Sequence, residues 1–194
     1  TKDEVSDAMA LVRALPYDAR QPIVPGIEIA FRDAGHILGS SIVELWADGK
    51  KLVFSGDLGP TGTPILRDPT PIRQADLLLM ESTYGDRAHK DQAATVDELA
   101  QVIEHTLNVK HGNVIVPAFA VGRTQEVLYQ LHRLSREGRL RNLHIHVDSP
   151  MAAAATRITM QDLELFDEPA RRLADWRAAA GSNLRRLSVG FRTG

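Results

Sequence analysis

An α/β fold is the class this sequence predicts, and three observations lead there. Short apolar segments with period-two alternation fill the first part of the chain, separated by loops bearing Gly and Pro. After about residue 86 the rhythm changes to strand, turn, helix, repeated, as expected for a parallel sheet with right-handed crossovers. No internal repeat or low-complexity tract interrupts either part, apart from a short alanine run at 152–155 that suits a closely packed helix. The expected organisation is therefore residues 1–86, rich in strands and loops, followed by residues 87–194, alternating strands and helices.

The elements follow in order. Ala8, Leu11, Val12 and Leu15 recur at helical spacing until Pro16 stops the pattern. PYDARQPIVPG reads as a turn-rich connector, and IEIAF as a half-buried strand with Ile27, Ile29 and Phe31 inward. SIVELWA and KLVFS are two strands joined at Asp48-Gly49, a hairpin turn signal. Residues 59–74 have several Gly and Pro and no clear period, hence a loop, and ADLLLME is a short buried strand ending at Glu81. TVDELAQVIEHTL is an amphipathic helix through Val96, Leu99, Val102, Ile103 and Leu107. GNVIVPAFAVGRTQEVLYQLHRL runs strand, glycine-containing turn, helix. LHIHVDSPMAAAATRI repeats that arrangement, with Ser149 as N-cap and Pro150 at the first helical position. PARRLADWRAAAG is one more helix stopped by Gly181, and LRRLSV starts another strand.

Composition narrows the function. The 194 residues include 23 basic and 25 acidic side chains, so no basic excess marks a nucleic-acid partner. An anionic substrate would need a local positive site, such as a metal ion or a helix N-terminus. No apolar run approaches the roughly 18–20 residues of a membrane span, and no signal-peptide pattern opens the chain, so a cytoplasmic protein is expected. The absence of cysteine removes disulfides, thiolate zinc sites and cysteine nucleophiles, leaving histidine and carboxylate for any metal chemistry. A chain starting at Thr1 is expected to be an excerpt of something longer.

Three polar residues stand at or just beyond strand ends: His36, Asp57 and Glu81. Singly, each has a plain structural reading: a hydrogen-bonded loop histidine, an Asx-turn aspartate, a capping glutamate. Together they read differently. Gly35 and Gly39 flank His36, and Gly56 and Gly59 flank Asp57. An imidazole and a carboxylate presented from adjacent strand ends suit zinc or another divalent ion. Two ligands do not close such a site, so further ligands must come from elsewhere.

GHILGS, FSGDLG and MESTYGDR, in that order, resemble consecutive motifs of metallo-β-lactamase-fold nucleases of the β-CASP group. VPAFAVGRTQE and VDSPMA resemble the insert that defines the group. The likeness runs through most of the chain and points to bacterial and archaeal relatives of the RNA 3′-end-processing endonuclease subunit. It implies part of a metallo-β-lactamase αββα sandwich over 1–86, then part of a Rossmann-like β-CASP insert with a parallel sheet over 87–194. It also implies a zinc-dependent endoribonuclease holding two zinc ions, with RNA as partner, DNA left open, and a homodimer left open. By the same resemblance His36 binds one zinc, Asp57 bridges both, and Glu81 orients a histidine that assists the leaving group.

The departures from the family pattern are as informative. Its HxHxDH ligand motif is absent, and the two late histidines expected after the insert are not reached by Gly194. The chain is accordingly expected to be a fragment whose ligand set is cut at both ends, inactive by itself. His144 and His146 share one strand face and read as structural or surface residues. Arg123, at the AVGR strand-to-helix turn, has two readings side by side: RNA-phosphate binding, or helix capping with a surface salt bridge. Tyr84 and Arg87 would line an RNA cleft or simply pack between the two parts. Two further readings stay open, a non-catalytic scaffold subunit and another hydrolase of the same superfold.

Overall fold

The computed structural model describes residues 1–88, 90–171 and 187–191. Its first part is built on a five-stranded sheet in spatial order β1-β2-β3-β4-β5, formed by Gln21–Val24, Ile27–Asp33, Ser41–Ala47, Lys50–Phe54 and Leu77–Leu79. The first four strands run antiparallel to their neighbours, and β5 pairs with β4 in parallel. The hairpin forms where Asp48-Gly49 predicts it: Asp48 (φ 49°) and Gly49 (φ 72°) both adopt the left-handed backbone that a two-residue turn requires. The connector is more ordered than its composition implies. Its Gln21–Val24 segment is an edge strand on β2, irregular between Pro22 and Val24, a position where a missing N–H costs little.

Registered pairing sorts the sheet into two faces. One carries rows such as Ile29, Leu45, Leu52, Leu77 and Phe31, Val43, Phe54, Leu79. The alternation expected of Ile27, Ile29 and Phe31 holds, but their face is only half-buried, and Leu77 and Leu79 at its edge are about half exposed. β5 is therefore a strand, but not a buried one. Burial belongs to the opposite face, where Ala30, Ile42 and Val53 are nearly inaccessible and Leu58 and Ile72 pack over the cluster of Ala34, Ile42 and Val53. A buried carboxylate sits on the same face: Glu44, 3% exposed, accepts from Arg32 Nε at 2.7 Å and pairs with Lys51. Arg32 also reaches Asp18 at 2.8 Å, and the Arg20 guanidinium lies 4.1 Å from the centre of the Trp46 ring. A charge this deep persists only because two cations share it.

The first helix, α1, spans Lys2–Leu11 behind a Thr1–Glu4 capping box. It stops short of Leu15: no residue in it is buried, Val12 is already extended, and the residue before Pro16 disfavours helix. The loop over 59–74 forms as expected. Leu66 bridges Phe166, and Ile65 packs with Phe166 and Ala170, so this loop reaches the second part of the chain.

That second part contains α2 (Gln92–Glu104), capped by the Asp91 side chain, then a π-helical turn (His105–Val109), α3 (Arg123–Arg136), β6 (Leu143–Val147), α4 (Pro150–Thr159) and β7 (Leu187–Phe191). Its core joins Val96, Ala100 and Ile103 of α2 to Leu131, Leu134, Leu140 and Leu143, with Leu99 and Leu107 packed alongside. Val102, expected on this face, is instead half exposed. Ser149 caps α4 as predicted, accepting from Ala152 N at 3.1 Å with Pro150 in the first turn. β6 and β7 pair in parallel, so the strand expected in LRRLSV forms. The strand expected in GNVIVPAF does not. A cavity of about 590 Å³ separates residues 113–118 from β6, Ile115 is 90% exposed, and Pro117 has no N–H to donate. The predicted helix over 169–181 falls beyond residue 171 mostly outside the described residues, as does its Gly181 stop. Among the described residues no helix is long and apolar enough to cross a membrane.

Candidate active site

β2 and β4 both run antiparallel to β3, and β5 runs parallel to β4. The carboxyl ends of β2, β4 and β5 therefore lie at one end of the sheet. His36, Asp57 and Glu81 each follow one of those ends by two or three residues. Topology alone gathers three residues that are up to 45 positions apart in sequence, as α/β folds commonly gather their ligand groups.

The glycines explain how the first two loops meet. A Cβ on Gly59 would lie 1.7 Å from the Gly35 carbonyl oxygen, and a Cβ on Gly35 would lie 2.7 Å from the Arg67 oxygen. No side chain fits at either place, so the loops touch backbone to backbone. Gly59 N donates to Ala34 O at 2.9 Å across that contact. The His36 loop is closed from within by Ser40, whose hydroxyl oxygen accepts from His36 N at 3.1 Å and Ile37 N at 3.2 Å. Tyr17 adds an external tie, its hydroxyl donating to Ser40 O at 2.8 Å.

This scaffold brings His36 Nε2 to 3.9 Å from Asp57 Oδ2, with both side chains substantially open to solvent. Glu81 lies behind them. Its carboxylate accepts from Leu58 N, and its own N–H donates to the buried Ser55 hydroxyl at 3.0 Å. The Leu58 backbone bond holds the Glu81 carboxyl below the usual carboxylate range, aided by the Thr83 hydroxyl and by charge on His36. Glu81 thus stays ionised while it fixes the residue next to Asp57. Ser40, Ser55 and Thr83 were not singled out in the sequence. Serines within GHILGS and FSGDLG have the composition of loop-capping hydroxyls, which was the available signal.

The other candidates occupy more peripheral settings. Tyr84 has a left-handed backbone (φ 55°) and is 56% exposed, with the Arg87 guanidinium 5.6 Å from its ring centre. Arg87 also pairs with Asp86 at 3.0 Å. Arg123 opens α3 and pairs with Glu126 in the helix's first turn. Its neighbour Gly122 approaches the His36 loop directly, since a Cβ there would lie 2.8 Å from Ile37 Cγ2. His144 and His146 project to the exposed side of β6, away from the Leu143, Ile145 and Val147 face. Among the described residues no group of three or more His, Asp or Glu converges as a metal site. His36 and Asp57 are a pair of nitrogen and oxygen donors, enough to contribute to a metal centre and too few to complete one.

Comparison with known proteins adds independent information. The family model described as the Beta-Casp domain matches residues 124–189. A ribonuclease of Thermus thermophilus is 38% identical over 166 residues, covering 86% of this chain and 38% of the relative. An RNase J-like protein of Methanocaldococcus jannaschii is 34% identical over 160 residues, covering 79% of this chain and 37% of the relative. An endoribonuclease of Eremothecium gossypii is 30% identical over 129 residues, 66% of this chain and 16% of the relative. The chain spans well under half the length of these curated relatives.

Proposed function

Because this chain belongs to the β-CASP group of metallo-β-lactamase-fold nucleases, we propose that it carries part of the active site of a zinc-dependent phosphodiesterase that cuts RNA internally. The observation that carries the reading is the meeting of His36 Nε2 and Asp57 Oδ2 at 3.9 Å, at the sheet end that also holds Glu81. Relatives that bear the names ribonuclease and endoribonuclease support RNA as the substrate.

The donor pair suits the metal. An imidazole nitrogen and a carboxylate oxygen are donor types that zinc accepts, and at 3.9 Å the two stand near enough to serve one centre. In this proposal His36 would be a ligand of one zinc ion and Asp57 would be shared between two, while Glu81 keeps the Asp57 loop in register and would orient a histidine from outside this pair. When bound, the two metal ions make hydroxide available near neutral pH and offset the charge that develops on the phosphoryl oxygens. Arg123, Tyr84 and Arg87 are assigned to RNA contact, Arg123 for phosphate and the Tyr84 ring for stacking on an unpaired base. The β1–β5 sheet is assigned to a metallo-β-lactamase αββα sandwich up to about residue 86, and the remainder to a β-CASP insert. The half-exposed apolar sheet face, with Leu77 and Leu79 at its edge, supports a further layer there.

The test is cleavage of a single-stranded RNA by the full-length protein, compared with its His36→Ala and Asp57→Ala variants. Each substitution is expected to reduce cleavage by at least about 100-fold, because misplacing reacting groups by an ångström already costs that much. Unchanged cleavage in both variants defeats the proposal.

A further inference from the structure

We infer that Gly122 is a positioning residue for His36, acting across the two parts of the chain through Ile37. The inference rests on the reading of His36 as a metal ligand and extends it. Gly122 is the N-cap of α3, with φ 80°. The space its side chain would occupy is taken by the Ile37 Cγ2 methyl, 2.8 Å from the position of a Cβ. Ile37 and His36 are neighbours tied to one acceptor, since Ser40 Oγ accepts from the N–H of both. Displacing Ile37 therefore displaces the imidazole relative to Asp57.

The turn that presents Gly122 is itself anchored. Thr124 Oγ1 donates to Phe119 O at 2.8 Å, and the Gln125 amide donates to Ala120 O at 3.1 Å and to Thr156 Oγ1 of α4 at 2.9 Å. Gln125 is only 7% exposed, so its two bonds are shielded from competing water. The other side of the His36 loop is held as well. Gly35 backs onto Arg67 and Pro69 with no room for a Cβ. That segment is pinned to the second part of the chain by Arg67 on Glu164 O, by Asp167 N on Ile65 O at 2.9 Å, and by packing of Ile65 on Phe166. The His36 loop is thus gripped at Ile37 and at Gly35 by elements fixed to α3, α4 and residues 163–170. Of these grips, Gly122 is the one that bears on a side chain of the loop, the Ile37 Cγ2 methyl, where those at Gly35 bear on backbone.

The experiment uses the full-length protein with 13Cε1-labelled histidine. Two quantities are read: the metal-free NMR cross-peak of His36, and Zn²⁺ affinity by chelator competition. Gly122→Ala is expected to move the His36 cross-peak and weaken Zn²⁺ binding by roughly 10- to 100-fold, the usual effect of removing support from a metal-ligating histidine. Ile37→Leu removes the Cγ2 methyl, so adding it to Gly122→Ala is expected to restore most of both signals. Gly138→Ala controls for backbone strain: Gly138 has φ 75° at the far end of α3 with nothing within 4 Å, and its substitution should leave both signals unchanged. Gln125→Leu, which unties the turn without adding bulk at Gly122, should move the same His36 peak and serves if Gly122→Ala does not fold. The inference is overturned by an unmoved His36 peak in the folded Gly122 or Gln125 variant, by an equal shift in Gly138→Ala, or by failure of Ile37→Leu to rescue. The reading beneath it fails separately, if His36→Ala leaves Zn²⁺ affinity intact.

Discussion

Gly59→Ala puts the architecture of the site under the most direct strain. The added Cβ would stand 1.7 Å from Gly35 O and 2.3 Å from Gly35 C, about half the separation of an ordinary contact. Neither atom is the end of a flexible side chain, so the two loops must part by more than an ångström. Separation breaks the 2.9 Å bond from Gly59 N to Ala34 O, whose acceptor belongs to a residue with no exposed surface. Leaving a buried backbone group unpaired costs about 1–3 kcal/mol. Forcing the neighbouring backbone to yield costs about 1–3 kcal/mol more, for a total near 2–6 kcal/mol. The same movement carries Asp57 away from His36, and under the proposed function an ångström of misplacement lowers the cleavage rate by about 100-fold. Denaturant unfolding of the full-length protein measures the first effect and RNA cleavage the second. A stability loss under about 1 kcal/mol together with wild-type cleavage would refute the claim that backbone contact between these loops sets the site.

Other consequences follow from burial and charge. Glu44→Ala strands Arg32 and Lys51 without their shared carboxylate. It is expected to cost about 2–3 kcal/mol in denaturant unfolding, below the range for a dry pair because solvent reaches both cations. Stability should also fall in acid. Burial alone would raise the Glu44 pKa, but bonds and charges from Lys51 and Arg32 outweigh it and hold the group below the ordinary 4.5. A depressed carboxyl contributes fully above the unfolded pKa, so its contribution and that of Glu81 are lost as pH drops below about 4.5 through the folded values. A thermal midpoint unchanged between pH 6 and pH 3 would contradict this. Leu134→Ala, at a wholly buried position in the α2–α3 core, should cost about 3–4 kcal/mol, and a loss below about 1 kcal/mol would show that the core collapses around the gap.

Much of this molecule could be read from its sequence because the governing interactions are local. The Asp48-Gly49 turn needs two left-handed residues, and the dipeptide supplies them. Ser149-Pro150 starts α4 because a hydroxyl and a preset φ suit a helix entrance wherever they occur. Alternation in IEIAF and SIVELWA fixed which side chains share a face, since the period of a strand is a property of its own backbone. The glycines around His36 and Asp57, with motif order, likewise singled out His36, Asp57 and Glu81 as candidates.

Burial and partnership were decided elsewhere. Alternation does not say which face of a sheet is covered, so Ala30 and Glu44 became the inaccessible residues while Ile27, Ile29 and Phe31 remained half open. Leu77 to Leu79 have the composition of a core strand, yet exposure depends on what packs against them. Residues 113–118 are as β-prone as β6, but a strand exists only when a neighbour offers matching donors and acceptors, and here a cavity intervenes. Sequence named His36 and Asp57; the parallel alignment of β2, β4 and β5, and the absence of any Cβ at Gly35 and Gly59, brought their side chains within 3.9 Å. The contact of Gly122 with Ile37 joins residues 85 positions apart, and no local rule reports a distance of that kind. Local propensity selects the pieces, whereas proximity arises only when the whole chain has chosen which surfaces to exclude from water.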